Sequence, residues 1–207
     1  VEEMDELIEQ HSQPIMVLNR RLRRHPAHCV YSDQQAAAAA VVDRLIGMGH
    51  SDIAFITGSA DSPTGIERLA GYKQALVRHE IPLRDELIAQ GKWTPACGAA
   101  AVSTLLARGV SFSALIASND DMAIGAIKQL HECGLSVPEQ VSVVGFDDIA
   151  LAPYVIPSLA SVKMPVTEMI QETINRLIAM VEEGEPEALP SFSGKLVRRD
   201  SLKRLLE

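Results

Sequence analysis

Cysteine is scarce in this chain of 207 residues: three in all, at positions 29, 97 and 133, with no CxxC spacing. An odd, scattered set argues against a disulfide framework and for reduced thiols. Aromatic residues are also few, with one Trp, three Tyr and four Phe, so each one near a polar cluster carries information. No apolar run approaches the roughly 20 residues of a membrane-spanning helix, and no basic-then-apolar leader is seen, so neither a membrane partner nor secretion is expected. Excess positive charge is lacking too: the net charge is −8, so no whole-domain basic footprint for nucleic acid exists. The six histidines, at 11, 25, 28, 50, 79 and 131, form no HExxH and no zinc-ligand pair. His25, His28 and Cys29 crowd together after Arg20, Arg21, Arg23 and Arg24, and read as a solvated loop.

What is present is a 47% apolar composition, enough for a folded core, arranged as strand-like runs alternating with amphipathic stretches. A short helix over Glu2 to Gln10 precedes extended pieces at Ile15 to Leu18 and Cys29 to Tyr31. A helix over Asp33 to Met48 follows, with Ser32 or Asp33 as N-cap and Gly49 where a C′ glycine belongs. The strand Ile53 to Thr57 leads through a Gly/Ser loop to a helix from Thr64, where Thr64-x-x-Glu67 has capping-box spacing. Further strands are expected near Leu87 to Ala89, at Ala114 to Ala117, at Val141 to Phe146, at Ala160 to Val162 and at Lys195 to Arg198. Helices are expected from Ala96 to Arg108, from Asp120 to Cys133, and after Pro165. The last places Val166, Met169, Ile170, Ile174, Leu177, Ile178 and Val181 on one face, and the polar stretch Gly184 to Pro190 follows it. Such alternation predicts an α/β fold: a parallel sheet with helices on both faces and a ligand outside the carboxyl ends of the strands.

Four of those strand ends are polar. Thr57 opens into Gly58-Ser59-Ala60-Asp61-Ser62-Pro63-Thr64, with Arg68 one turn into the helix. Trp93 follows Ala89, Ser118-Asn119-Asp120-Asp121 follows Ala117, and Asp147-Asp148 follows Phe146. Carboxylates and an amide accept hydroxyl protons, a guanidinium donates a planar fork, and an indole covers a sugar's C–H face, so the set suits a neutral polyol. Each residue also has a plainer reading. Ser118-x-x-Asp121 is a capping-box pattern that would assign Asp120 and Asp121 to a helix start. Asp147 and Asp148 could be turn residues, Arg68 a surface charge and Trp93 a half-buried core aromatic.

Acidic pairs at strand ends together with Lys163 also fit a magnesium-dependent phosphoryl-transfer site. No GxxxxGK[ST], GxSxG or GxGxxG motif accompanies them, so no enzyme activity, metal or cofactor is expected.

Gly49-His50, Ile53-Ala54-Phe55-Ile56-Thr57-Gly58, Glu67-Arg68-Leu69-Ala70-Gly71-Tyr72, Ser118 through Ala126, Val137 through Asp148, and Leu196-Val197-Arg198-Arg199-Asp200-Ser201 follow a recognisable order. With these motifs the chain resembles the effector-binding domain of the lactose/galactose repressor family of bacterial transcription regulators. Gln13 through Arg21 and Asp61-Ser62-Pro63-Thr64 make it similar, within that family, to repressors of β-glucoside (arbutin, salicin, cellobiose) operons.

The resemblance implies a two-lobed, periplasmic-binding-protein-like fold with a sugar or sugar phosphate held between lobes. It places Arg68, Trp93, Asn119 and Asp147 at ligand contacts, with Ser62 and Thr64 as secondary candidates. Residues 1–49 and 165–190 would form a partial N-terminal lobe, and residues 50–164 and 191–207 the C-terminal lobe. It further implies a cytoplasmic homodimer that meets operator DNA through a helix-turn-helix absent from this chain. The first strands of the N-terminal lobe also look absent, so the chain reads as a fragment of such a repressor. A sugar-binding protein for transport shares the implied fold and is the alternative.

Overall fold

The computed structural model describes residues 2–182, 184 and 191–205. In chain order the elements are α1 (Glu2–Gln10), β1 (Val17–Leu18), β2 (Cys29–Val30), α2 (Gln34–Ile46), β3 (Ile53–Thr57), α3 (Pro63–Arg78) and β4 (Ile88–Gln90). Then come α4 (Pro95–Ala107), β5 (Ala114–Ala117), α5 (Asp120–Glu132), β6 (Ser142–Phe146), β7 (Ala160–Lys163), α6 (Val166–Glu182) and β8 (Lys195–Val197). The chain divides into two units, one of residues 1–33 and 164–194, the other of residues 34–163 and 195–207.

The larger unit is built on a six-stranded sheet in the order β4-β3-β5-β6-β7-β8. All its pairings are parallel except the last, where Ser161, Val162 and Lys163 of β7 meet Val197, Leu196 and Lys195 of β8 running the other way. Strands β3, β5 and β6 are nearly continuous apolar runs because both faces of the sheet are covered. Ala54, Ile56, Leu115, Ala117 and Val143 pack with Val102, Leu105, Met122, Ala126 and Leu130 of α4 and α5. On the opposite face, Phe55 stacks at 4.9 Å against Tyr72 of α3. The period of two along β3 thus sends Ala54 and Ile56 one way and Phe55 the other.

Helix α2 belongs to this unit rather than to the first lobe, where the sequence reading put residues up to 49. The reason is close packing on α3: a Cβ on Gly71 would lie 2.1 Å from the Gln35 carbonyl oxygen, so the two helix backbones nearly touch. His50 closes the α2–β3 turn, its ring nitrogens bridging Ser113 Oγ at 2.9 Å and the Lys203 carbonyl at 3.0 Å. Burial lowers its pKa, which favours the neutral ring.

In the smaller unit, β1 and β2 pair in parallel and α6 lies against both. One expectation changes here. His28 and Cys29 are buried rather than solvated: His28 Nδ1 meets the Ile15 carbonyl at 3.0 Å, and Cys29 Sγ reaches the Pro26 carbonyl at 3.2 Å. The arginines around them do stay exposed. Helix α6 buries only Met169, while Val166, Ile170, Ile174, Leu177, Ile178 and Val181 remain exposed. Of the polar stretch after it, residues 185–190 lie outside the described residues.

Candidate functional site

Strands β3, β5 and β6 run side by side and end at the same edge of the large sheet, which brings the loops after Thr57, Ala117 and Phe146 together. Arg68, in the second turn of α3, reaches across these loops and is only 3% exposed. Its Nε donates to Gln34 Oε1 at 2.8 Å, Nη1 donates to the Ser118 carbonyl, and Nη2 donates to Asp147 Oδ1 at 3.2 Å. The guanidinium carbon also lies 4.3 Å from the centre of the Phe146 ring. Burial lowers the Arg68 pKa and Asp147 raises it, and guanidinium basicity leaves the group charged throughout the accessible range. Arg68 is therefore a fixed positive fork, and the surface-charge reading does not apply. Asp147 receives it from a position where its own side chain is 45% exposed.

Asn119 is the N-cap of α5. Its Oδ1 accepts from the Met122 amide at 3.0 Å, and its Nδ2 donates to the Trp93 carbonyl at 2.9 Å. One amide thus starts a helix and ties down the loop between β4 and α4. Trp93 sits in that loop with φ of +67°, half-buried and packed against the core under β3 and β5. Its ring occupies the space in front of Gly58, where a Cβ would stand 2.0 Å from the indole. Gly58 is required at the end of β3 because the indole takes the place of a side chain.

Ser62 caps α3, accepting from the Gly65 amide at 3.4 Å, and Pro63 is the first residue of the helix. The expected Thr64-x-x-Glu67 box therefore does not start the helix, whose cap lies two residues earlier, and Thr64 lies inside the first turn, half-exposed. Gly65 approaches Gly58, so this turn abuts the loop under the indole. Arg68, Asp147, Asn119, Trp93 and Ser62 are accordingly linked by contacts along one edge, with Thr64 beside Ser62.

Two expectations at this edge need correction. The Ser118-x-x-Asp121 box does not form, because the Ser118 hydroxyl donates to the Ile56 carbonyl at 2.8 Å and Asn119 takes the cap. Asp121 is exposed on the first turn. Asp120, by contrast, is fully buried and points into the sheet: Oδ1 accepts from Ser161 Oγ at 2.5 Å and Oδ2 from the Ile149 amide at 2.8 Å. Burial pushes its pKa up to about 6 against those two hydrogen bonds, with Asp147 and Asp148 adding repulsion. Asp148 pairs with Arg199 Nη2 at 2.6 Å. The three carboxylates therefore turn to separate protein donors instead of converging on one point.

Gln34, Ser161 and Arg199 escaped the sequence reading. Gln34 and Arg199 lie 34 and 51 residues from their partners, and no local spacing signals such a pair.

Residues 42–202 match the model of the periplasmic binding protein-like domain. The transcriptional regulator AscG of Escherichia coli K12, of the helix-turn-helix type, is 63% identical over 202 residues, covering 98% of this chain and 60% of the regulator. The crystal structure of a sugar-binding transcriptional regulator of the LacI family from Escherichia coli, complexed with phosphate, superposes with a TM-score of 0.95. It is 62% identical and covers 98% of this chain and 73% of that one. A complex of the regulator CelR with cellobiose gives a TM-score of 0.82 at 29% identity, covering 97% of this chain and 69% of that one. These relatives are transcriptional regulators and not enzymes, and this chain spans 60% of the length of the Escherichia coli regulator. On sequence and fold together, the chain belongs to the periplasmic binding protein-like, effector-binding domains of the LacI family of transcriptional regulators.

Proposed function

We propose that this chain is the sugar-sensing module of a DNA-binding repressor, with a β-glucoside or related carbohydrate as effector. Arg68, Trp93, Asn119 and Asp147 are its contacts, and Ser62 and Thr64 lie at the margin. The observation that carries this reading is the contact between a buried, fully charged Arg68 and a half-exposed Asp147, on the same sheet edge as a half-buried indole. A guanidinium held by Gln34 and Ser118 presents its fork without further ordering, and Asp147 can accept from sugar hydroxyls on its exposed side. Each hydrogen bond involving a charged group contributes about 1.5–3 kcal/mol. The indole supplies the apolar surface that sugars bind by their C–H faces.

Cellobiose in the CelR complex supports the β-glucoside class, and phosphate in the Escherichia coli relative leaves room for a phosphorylated sugar. Sugar occupancy would shift a conformational equilibrium to which the DNA-reading part of the intact regulator responds. As a reader of operator half-sites the regulator would act as a cytoplasmic homodimer.

Trp93 is the only tryptophan, so its fluorescence reports this edge alone. Titration with cellobiose, salicin and a phosphorylated β-glucoside is expected to change the emission saturably for at least one of them. Asp147→Ala and Arg68→Lys are expected to weaken that titration about tenfold or more, each factor of ten being 1.4 kcal/mol. Variants that titrate like the unaltered protein would remove these residues from the site.

A further inference from the structure

Strand β6 ends at Phe146, and the next two residues, Asp147 and Asp148, have φ of +101° and +51°. Two successive non-glycine residues in the left-handed region do not hold that shape by themselves, so their surroundings must impose it. The hydrogen bonds of this turn show what does. The Asp147 amide donates to the Val162 carbonyl at 2.9 Å, a backbone contact to β7. The Asp148 amide donates to Ser161 Oγ at 3.0 Å, and the Ile149 amide donates to Asp120 Oδ2 at 2.8 Å. Ser161 in turn donates its hydroxyl proton to Asp120 Oδ1 at 2.5 Å.

Two side chains from two other elements therefore anchor successive amides of the turn and are joined to each other. Asp120 is not needed to start α5, because Asn119 caps it. Nor does Asp120 reach the exposed edge, since it is fully buried. Gly145 makes room for it: a Cβ there would stand 2.1 Å from Asp120 Oδ1. A sheet that gives up a side chain to admit a buried carboxylate, hydrogen-bonded to the turn carrying Asp147 and to Ser161, is arranged around that turn.

We infer that Asp120 and Ser161 are positioning residues that hold the Asp147 turn in its left-handed shape and so aim the Asp147 carboxylate at Arg68 and the effector. Part of this rests on Asp147 being an effector contact, and the test separates that part.

Without ligand, Asp120→Asn and, independently, Ser161→Ala are expected to shift the NMR signals of the Asp147 and Ile149 amides and of the Arg68 side-chain N–H groups. Asp121→Asn, on the exposed side of the same turn of α5, is expected to leave them in place. Unmoved Asp147 and Arg68 signals in both variants would overturn the inference whether or not any sugar binds. With cellobiose as the probe, Asp120→Asn is expected to weaken affinity about fivefold to tenfold in the unaltered protein, and less than about twofold in an Asp147→Ala background. An equal loss in both backgrounds would show a general structural role and also overturn it. If the unaltered protein binds none of cellobiose, salicin and the phosphorylated β-glucoside, the effector reading fails while the ligand-free signals still decide this one. Ser161→Ala carries both arms should Asp120→Asn not fold.

Discussion

The two edges of the large sheet each carry an arginine paired with an aspartate, and they are unlike in every other respect. At the carboxyl edge, Arg68 is 3% exposed and has fixed partners on three sides. At the amino edge, the Arg84 side chain is 37% exposed and reaches Asp52 at 2.8 Å and Glu86 at 2.9 Å. A cavity of about 350 Å³ beside it is lined by Ser51, Asp52, Tyr72, Leu76, Pro82 and Leu87 among others. There Tyr72 donates its hydroxyl to the Ile53 carbonyl at 2.9 Å, and burial raises its pKa to about 12. The two strand loops at the carboxyl edge are bent into left-handed conformations at Trp93, Asp147 and Asp148. An Arg–Asp pair can thus be a surface contact or hold a buried, fixed guanidinium, and desolvation together with the surrounding acceptors decides which.

Three measurements can break or sharpen that contrast. The largest effect is expected for Arg68→Ala. It leaves the buried Ser118 carbonyl without the Arg68 donor, at about 1–3 kcal/mol, and removes the buried guanidinium from its contact with the Phe146 ring. Urea unfolding checks this, with Arg84→Ala expected to leave the midpoint where it is. Equal losses would erase the distinction between the edges.

Next is a pH dependence set by Asp120. Its folded pKa of about 6 lies above the ordinary carboxylate value, so the folded state binds this proton more tightly than the unfolded chain does. The stability it contributes is complete below about pH 4 and is lost as pH rises through about 6. The groups facing it are Asp147 and Asp148 from the turn and Arg68 from α3, with Arg199 held to Asp148. The change amounts to about 2 kcal/mol between pH 4 and pH 7. Asp120→Asn is expected to remove that component, seen as the difference between the two proteins' urea midpoints across the range. Parallel profiles would mean that Asp120 titrates normally.

The smallest effect compares two caps on the carboxyl edge. Asn119→Ala is expected to cost about 1 kcal/mol and to shift Trp93 emission, because the amide caps α5 and also holds the Trp93 carbonyl. Ser62→Ala, losing only a 3.4 Å bond, is expected to cost less and to leave the emission unchanged. A reversed order would mean that the Asn119 amide does not tether the indole loop.

Much of the larger unit was legible because its signals are local. Ile53 to Thr57 and Ala114 to Ala117 are apolar runs of strand length, and Asp120 to Glu132 is bounded by a cap and a glycine. Proximity of Arg68, Trp93, Asn119 and Asp147 followed from the rule that parallel strands end together. Local pattern failed where two candidates compete for one role. Ser118 and Asn119 are both good caps, and the choice fell to Asn119 because the Ser118 hydroxyl is taken by the Ile56 carbonyl of β3, which no spacing reveals. The same limit hid the grouping of α2 with α3, which depends on how closely Gly71 lets two helices approach.

The sequence alone determined the periodicity, the alternation of strands and helices, and the chemistry available at the strand ends, because each is written within a dozen residues. Only the tertiary structure decided which polar groups lose their water. Arg68 became a buried fork, Asp120 an internal anchor for a strained turn and Asp121 a surface charge, although the two aspartates are neighbours in the chain. One residue of offset on a helix turns a side chain by about 100°, and here that rotation separates the interior of a sheet from solvent.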